Sequence, residues 1–302
     1  MTVPVATGAG RASRSREPRR PGQRDQARRP RRARSADDRA AGGTGLPWPL
    51  GVLAGLGLLV LVLPLLALVV RAPWRRLPAL VADPASTQAL TLSVGTAAVS
   101  TLVCLLLGVP LAWVLARSDV PGRPLLRALV TVPLVLPPVV GGVGLLLLLG
   151  RRGLLGLYLD LWFGVRLPFT TAAVVLAQVF VSLPFLVVAV EGALRGADRR
   201  YEAVAATLGA SRWRVLTHVT LPLVAPGVVA GAVLCFARAL GEFGATVTFA
   251  GSFPGVTRTV PLSVYVLLET DPDAAVALSL VLLAVSVAVL VGLRDRWVGA
   301  LR

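Results

Sequence analysis

The strongest constraint on this chain is a series of long apolar stretches, each long enough to cross a membrane. A helix needs about 20 apolar residues to span the hydrocarbon core of a bilayer. Six stretches meet this length: 48–70, 88–116, 128–150, 167–190, 219–248 and 274–293. Because backbone amides in lipid must be hydrogen-bonded within their own segment, these stretches are predicted to be helices. The sequence therefore predicts an all-α polytopic membrane protein with six transmembrane helices and both termini on one side.

Composition excludes several classes of soluble protein. Of the 302 residues, 55% are hydrophobic and 15% are charged, whereas soluble domains carry about 25% charged residues. One histidine, His218, and two cysteines, Cys104 and Cys235, are too few for a His/Cys metal cluster or a disulfide framework. The sequence has no G-x-x-x-x-G-K-S/T loop that would cradle the phosphates of ATP. We therefore expect no metal, no cofactor and no catalytic residues in the chain itself.

Residues 1–47 differ from the rest of the chain. They hold 12 Arg and four acidic residues, with Gly and Pro but almost no large apolar residues. Such a segment cannot bury enough surface to offset its ordering entropy, so it is predicted to be disordered. Nucleic-acid binding or a targeting signal is one interpretation. The lack of interleaved aromatic residues favours a cytoplasmic tail that fixes orientation and contacts anionic lipid, with no nucleic-acid partner.

The distribution of arginine predicts the orientation. All 31 basic residues are Arg, and 23 of them lie on the side of the N-terminus against seven on the opposite side. Cytoplasmic segments of membrane proteins carry such an excess. Both termini are therefore predicted to be cytoplasmic. The chain divides into the Arg-rich tail 1–47, a transmembrane domain 48–293 and a short cytoplasmic tail 294–302.

The third apolar stretch is rich in proline and glycine. Pro133, Pro137 and Pro138 are followed by Gly141, Gly142 and Gly144. Each proline removes a backbone donor and clashes with the preceding turn, whereas the glycines permit close approach of another helix. The stretch is interpreted either as a kinked packing helix or as a helix that lines a pathway.

The longest polar stretch inside the membrane domain lies between the fourth and fifth apolar stretches. Gly209 is suited to end a short helix, and Ser211 to cap a second one that enters the membrane at Leu221-Pro222. The small side chains of the first helix would let it lie in a groove on another protein. The alternative from the residues alone is an amphipathic loop at the lipid surface.

This stretch resembles the cytoplasmic loop of ABC-importer permeases, whose pattern is Glu-Ala-Ala, three residues, Gly, nine residues, Ile, one residue, Leu-Pro. Gly209, Val219 and Leu221-Pro222 match the spacing, while the acid falls one residue early, at Glu202, and Val204 replaces the first Ala. In the family this segment, here the coupling loop (residues 195–220), docks on a separate cytoplasmic ATPase. The resemblance implies that docking involves these residues: Glu202, Ala203, Ala206, Leu208, Gly209, Ala210 and Arg212.

Three further segments resemble particular members of this family. Residues 133–138 and 236–246 are similar to the sulfate/molybdate branch, and residues 254–261 to its molybdate members. The resemblance implies a type I importer fold in a bacterial cell membrane, two copies of the permease, and alternating access driven by the ATPase. It also implies capture of the oxyanion by an extracytoplasmic binding protein that contacts Thr257 and Arg258. Molybdate is the expected substrate, with tungstate, sulfate and thiosulfate as alternatives.

Arg238 and Glu242 are spaced i,i+4 within the fifth apolar stretch and are predicted to share a helix face. Ionisable residues inside a membrane normally face protein or water. One interpretation is a neutralised structural pair. The other places Arg238, Glu242 and Thr246 in the substrate pathway, with Arg238 supplying positive potential for an oxyanion.

Two unrelated classes remain as alternatives. An ion-coupled secondary transporter would usually show inverted repeats and charged residues at matching positions, whereas this chain has a single charged pair within its spans and no convincing repeat. An intramembrane enzyme would need a catalytic constellation, but His218 stands alone.

Overall fold

The computed structural model describes residues 48–299, with side chains described through residue 292. The predicted tail 1–47 lies outside the described residues. Within the described range the chain is helical and has no β-strand. The helices are α1 Trp48–Arg71, α2 Leu77–Ala82, α3 Pro84–Arg117, α4 Arg123–Val135, α5 Pro138–Leu149, α6 Gly156–Phe163, α7 Thr171–Gly196, α8 Arg200–Thr207, α9 Arg212–Val215, a π-helical turn Leu216–Thr220, α10 Leu221–Leu240, α11 Gly244–Phe249, α12 Val260–Thr270 and α13 Pro272–Gly299.

Five helices of the described range are long and apolar enough to cross a membrane. They are α1, α3, α7, the run from α9 through α10, and α13. The pair α4 and α5 makes a sixth crossing if it counts as one bent span. The predicted all-helical membrane fold is therefore confirmed. Helix α13 continues to Gly299, beyond the predicted domain boundary at residue 293.

The predicted single helix over 128–150 is wrong, because the chain breaks there. Helices α4 and α5 meet at an angle of 115°. Leu136 and Pro137 have extended ψ angles of 131° and 130°. A residue that precedes a proline is pushed out of the α-helical region, and this applies to both, since Pro137 and Pro138 follow them. Neither proline can donate a backbone hydrogen bond across the break.

The predicted single helix over 219–248 is wrong at both ends. It begins earlier, because the π-helical turn joins α9 directly to α10. It also ends earlier, at Leu240, and the chain resumes a helical path only at Gly244. Helix α12 was not predicted separately, because its 11 residues are apolar but too short to cross a bilayer.

The two breaks pack against each other. A Cβ atom on Gly244, at the start of α11, would lie 3.0 Å from Pro138 and 3.1 Å from Val139, at the start of α5. On α5, a Cβ atom on Gly142 would overlap the hydroxyl of Thr248 and come within 2.8 Å of the Ala245 carbonyl oxygen. Helices without a hydrophobic driving force between them associate through such small residues. The proline-rich segment is thus a packing partner of α11.

The core of the bundle is formed by α3, α7 and α10. Its largest apolar cluster includes Cys104, Leu115, Leu186 and Cys235. Polar side chains also join α3 to α7, since the hydroxyl of Ser100 donates to the side-chain amide oxygen Oε1 of Gln178 at 2.9 Å. Such hydrogen bonds hold membrane helices together where water is excluded.

The close packing of α5 on α11 generates a stability prediction. Gly142→Ala forces the Thr248 hydroxyl or the α11 backbone to move, and overpacking of this kind costs about 1–3 kcal/mol. We expect a thermal unfolding midpoint several degrees lower for the purified variant. Gly144→Ala on the same helix is the control, because nothing lies within 4 Å of its Cβ position. Equal midpoints for the two variants would contradict this packing.

Candidate functional site

The coupling loop folds as a helix, a tight turn and a second helix, as the sequence predicts. Helix α8 ends at Thr207, and Gly209 follows with a left-handed φ of +83°, which a residue with a Cβ rarely adopts. The hydroxyl of Ser211 accepts a hydrogen bond from the Arg214 amide at 3.3 Å and caps α9. Ala210 donates its backbone N–H to the Ala205 carbonyl oxygen at 3.1 Å. The turn therefore fixes the direction in which α8 presents its side chains.

One side of α8 is apolar and exposed. Tyr201, Val204 and Leu208 are 61%, 58% and 83% exposed, and their i, i+3, i+7 spacing places them on one helical face. We call these three residues the α8 stripe. Leu208 is among the predicted docking residues, whereas Tyr201 and Val204 are not. Their i, i+3, i+7 spacing with Leu208 is the sequence signal for a shared apolar face.

The other predicted docking residues surround the stripe or anchor it. Ala203 and Ala206 are exposed on α8, and Arg212 is exposed at the start of α9. Glu202 instead faces the body of the protein, where its carboxylate accepts from the Thr220 hydroxyl at 3.2 Å and pairs with Arg117 at 3.1 Å. Glu202 thus has a buried cation as its partner, since the Arg117 side chain is 6% exposed.

A second ion-pair cluster, which sequence reasoning missed, supports the same end of the bundle. The buried carboxylate of Glu191 on α7 accepts from Arg127 on α4 at 2.6 Å and pairs with Arg195 at 2.8 Å. A buried carboxylate requires such partners, because an unpaired one is costly. The signal in the sequence is the i,i+4 spacing of Glu191 and Arg195.

Arg238 and Glu242 form an ion pair, but they do not lie on one helix. Arg238 is in the last turn of α10, while Glu242 follows the end of that helix. An Arg238 Nη1 to Glu242 Oε2 distance of 2.6 Å joins them, and the side chains are 26% and 1% exposed. Glu242 Oε1 also accepts from the Ala245 amide at 2.8 Å. Glu242 thus holds the start of α11 to the end of α10, and its charge is neutralised.

The other predicted pathway and contact residues are enclosed. Thr246 on α11 is fully buried, beside Ala245. Thr257 is also buried, and its hydroxyl accepts from the Phe253 amide at 2.9 Å. Arg258 is half-buried and donates to the Ser252 hydroxyl and carbonyl oxygens at 3.2 and 3.1 Å. Thr257 and Arg258 therefore shape their loop, and Phe253 and Val256 are exposed on it.

A cleft of about 880 Å³ runs along α3, and sequence reasoning missed it. Its walls are hydroxyl, amide and small apolar groups without a charge, from α3, the start of α7 and the loop at 254–256. The polar lining includes Thr87, Gln88, Thr91, Thr96 and Thr171. The four threonine hydroxyls donate to backbone carbonyl oxygens of Pro84, Thr87, Leu92 and Val256, whereas the side-chain amide of Gln88 is a group that can donate to an oxyanion. The i,i+4 spacing of Thr87 and Thr91 was the available signal.

Comparison with known proteins identifies the family. Residues 108–300 match the family described as binding-protein-dependent transport system inner membrane component. The molybdenum transport system permease protein ModB of Mycobacterium bovis is 58% identical over 242 residues, which cover 80% of this chain and 90% of that protein. ModB of Escherichia coli K12 is 44% identical over 210 residues, covering 70% and 92%. The sulfate transport system permease protein CysT of the same strain is 36% identical over 236 residues, covering 77% and 85%.

The fold is also that of a solved importer. A chain in a bacterial alginate ABC transporter, solved in complex with an alginate-pentasaccharide-bound periplasmic protein, superposes with a TM-score of 0.63. It covers 82% of this chain and 92% of its own length at 16% identity. At this identity the likeness establishes the fold alone. It agrees with the predicted importer-permease architecture.

The ion pair between α10 and α11 generates a second prediction. Arg238→Leu leaves the Glu242 carboxylate buried without its cation, and breaking a buried pair in this way costs about 3–5 kcal/mol. We expect a large fall in the thermal midpoint and in the yield of folded protein. The double variant Arg238→Leu/Glu242→Gln should recover most of the stability, because the glutamine oxygen still accepts from the Ala245 amide.

Uptake by the double variant distinguishes the two interpretations of the pair. Stable protein with normal uptake assigns Arg238 and Glu242 a structural role. Stable protein without uptake places Arg238 in the pathway. An Arg238→Leu variant as stable as the parent would contradict the structural account.

Proposed function

The chain belongs to the family of binding-protein-dependent transport system inner membrane components. We propose that it is the membrane-spanning subunit of an ABC importer for molybdate. The substrate rests on one observation, the 58% identity over 90% of the length of a molybdenum permease. Sulfate is the second candidate, because sulfate permeases are also related at lower identity. The chain itself is a transport component of the bacterial cell membrane, and ATP hydrolysis belongs to a separate subunit.

The α8 stripe is the proposed contact for that ATPase. A short helix with apolar residues at i, i+3 and i+7 is suited to a hydrophobic groove on a partner protein. Tyr201 and Leu208 are exposed although the same helix is anchored from behind by Glu202. Because α8 is anchored to the helical bundle while its apolar face is exposed, a movement of the ATPase bound to that face would be transmitted to the bundle. With this end in the cytoplasm, both termini of the chain are cytoplasmic too.

The cleft on α3 supports a pathway formed between two copies of the chain. Thr87 and Thr91 on its wall are exposed. Their hydroxyls donate to the Pro84 and Thr87 carbonyl oxygens, and a polar wall of this kind normally faces protein or water and not lipid. A second copy placed over the cleft would enclose it and double its set of polar groups. Rocking of the two copies would then open the enclosed cleft to one side of the membrane at a time.

An extracytoplasmic binding protein is the proposed source of the oxyanion. The solved alginate transporter contains such a periplasmic protein, and the loop that Thr257 and Arg258 shape in this chain is the proposed contact. Phe253 and Val256 supply its exposed apolar surface. Binding-protein capture agrees with a cleft that carries no charge, since the permease then needs only to pass the anion.

The docking role of α8 is tested by charge substitution. Leu208→Asp places a carboxylate in the proposed apolar contact, and loss of a central contact typically costs 2 kcal/mol or more. We expect at least about thirtyfold weaker association with the ATPase and a matching loss of uptake. Val120→Asp is the control, because Val120 is exposed in the loop between α3 and α4 and lies outside the stripe. Unchanged association in Leu208→Asp would reject the contact.

The substrate is tested by uptake in cells that lack the chain. We expect loss of radiolabelled molybdate uptake, no change in sulfate uptake, and restoration by the intact gene. In vesicles, uptake should stop when ATP is removed and an ion gradient is kept. Loss of sulfate uptake instead would assign the chain to the sulfate branch, and gradient-driven uptake without ATP would assign it to secondary transport.

A further inference from the structure

Five arginine side chains line one cavity at the end of the bundle that carries the coupling loop. The cavity has a volume of about 480 Å³ and lies between the end of α3, the start of α4 and the end of α7. Its charged lining is Arg117, Arg123, Arg127, Arg195 and Arg199. We call it the arginine cavity. Like charges gathered around one space repel each other unless an anion compensates them.

Carboxylates of the described chain compensate only some of these arginines. Glu191 pairs with Arg127 and Arg195, and Glu202 pairs with Arg117. Arg123 and Arg199 have no carboxylate partner among the described residues, and they donate to the Ala116 carbonyl oxygen at 3.3 and 3.4 Å. Five arginines against two carboxylates leave the arginine cavity with three uncompensated positive charges.

Two guanidinium N–H groups at this cavity are also unsatisfied. Nε of Arg117 and Nε of Arg123 are buried and have no hydrogen-bond acceptor among the described residues. The Arg117 side chain is 6% exposed, so bulk water does not compensate for the missing acceptor. A buried donor without an acceptor is costly. The unsatisfied donors and the excess charge both favour an anion as the ligand of this cavity.

We propose that the arginine cavity binds a tetrahedral phosphate-type oxyanion, supplied either by the headgroup of an anionic phospholipid or by a free anion. A planar guanidinium presents parallel N–H donors that match two oxygens of a phosphate group. At about 480 Å³ the cavity has room for several water-sized groups, each of which takes about 30 Å³. It therefore accommodates a phosphate together with a glycerol moiety or several waters.

The bound anion would stabilise the base of the coupling loop. Arg117 holds Glu202 on α8, and Arg199 directly precedes α8. An anion held between Arg123 and Arg199 would join α4 to the segment that begins α8. The site is separate from the pathway and from the α8 stripe, and it does not depend on which oxyanion is transported.

Thermal unfolding of the purified permease–ATPase complex in a neutral detergent tests the site. The unfolding midpoint is measured at increasing concentrations of short-chain phosphatidylglycerol, short-chain phosphatidylcholine or sodium phosphate. The ionic strength is kept constant, which removes general screening effects. The first variant is Arg199→Gln, because the Arg199 side chain is exposed. The double variant Arg123→Gln/Arg199→Gln is measured in the same way. Arg214→Gln is the control, because Arg214 is exposed at the same end of the bundle and does not line the cavity.

We expect a saturable rise of the midpoint that requires an anion and is absent with phosphatidylcholine. Because Arg199→Gln loses a charged hydrogen bond, it should need about tenfold more anion for the half-maximal rise of the midpoint. The concentration that Arg214→Gln needs should be unchanged. A response to phosphatidylglycerol alone identifies a lipid headgroup as the source, and a response to phosphate identifies a free anion. A flat titration, or an equal response in Arg199→Gln, would overturn the site. So would loss of ATPase association in Arg199→Gln with an unchanged anion response, since the arginines would then serve the partner protein.

Discussion

The structure depends on one constraint, which is that backbone polar groups inside a bilayer must find partners within the protein. The chain interrupts its helices in two apolar stretches, at Leu136–Pro137 and at Gly241–Phe243. These breaks are tolerated because α5 and α11, the helices that follow them, pack on each other through Gly142 and Gly244. The Glu242 carboxylate accepts from the Ala245 amide within the second break. The starts of α5 and α11 therefore cover each other, whereas Val135 and Pro137 at the first break stay exposed on the surface of this chain.

The carboxylates of Glu242 and Glu191, which are buried, and of Glu202, which is partly buried, follow the same logic at the level of charge. Glu242, Glu191 and Glu202 each lie against at least one arginine, and each pair joins two different helices or a helix and a loop. Because an unpaired buried carboxylate is costly, these pairs restrict how the helices can move. The Glu202 carboxylate contacts both Arg117 at the end of α3 and Thr220 at the start of α10. A displacement of α8 would therefore disturb its contacts with two core helices, α3 and α10, at once.

The long helices and the turn at Gly209 were predictable, because hydropathy and helix capping are local properties of a sequence. The break at Pro137 was predictable only as an irregularity, since a membrane proline either kinks or ends a helix according to what packs beside it. The break at Glu242 contains no proline. It is accompanied by the packing of α5 on α11, a contact between distant segments that a local sequence pattern does not show. Likewise, the sequence alone offered no reason to expect Thr257 and Thr246 to be buried. The closure of the 253–258 loop buries Thr257, and the packing of α11 buries Thr246.

The distribution of charge separates two tasks within the chain. The charged residue pairs hold helices in place, whereas the cleft along α3 is lined by hydroxyl, amide and apolar groups. A full positive charge facing the anion in a low-dielectric pathway would bind it tightly and slow its release. In the pathway we propose, neutral groups such as the Gln88 side-chain amide would compensate the anion weakly enough to let it pass. An uncharged cleft therefore suits the proposed role of passing on an anion that another protein has captured.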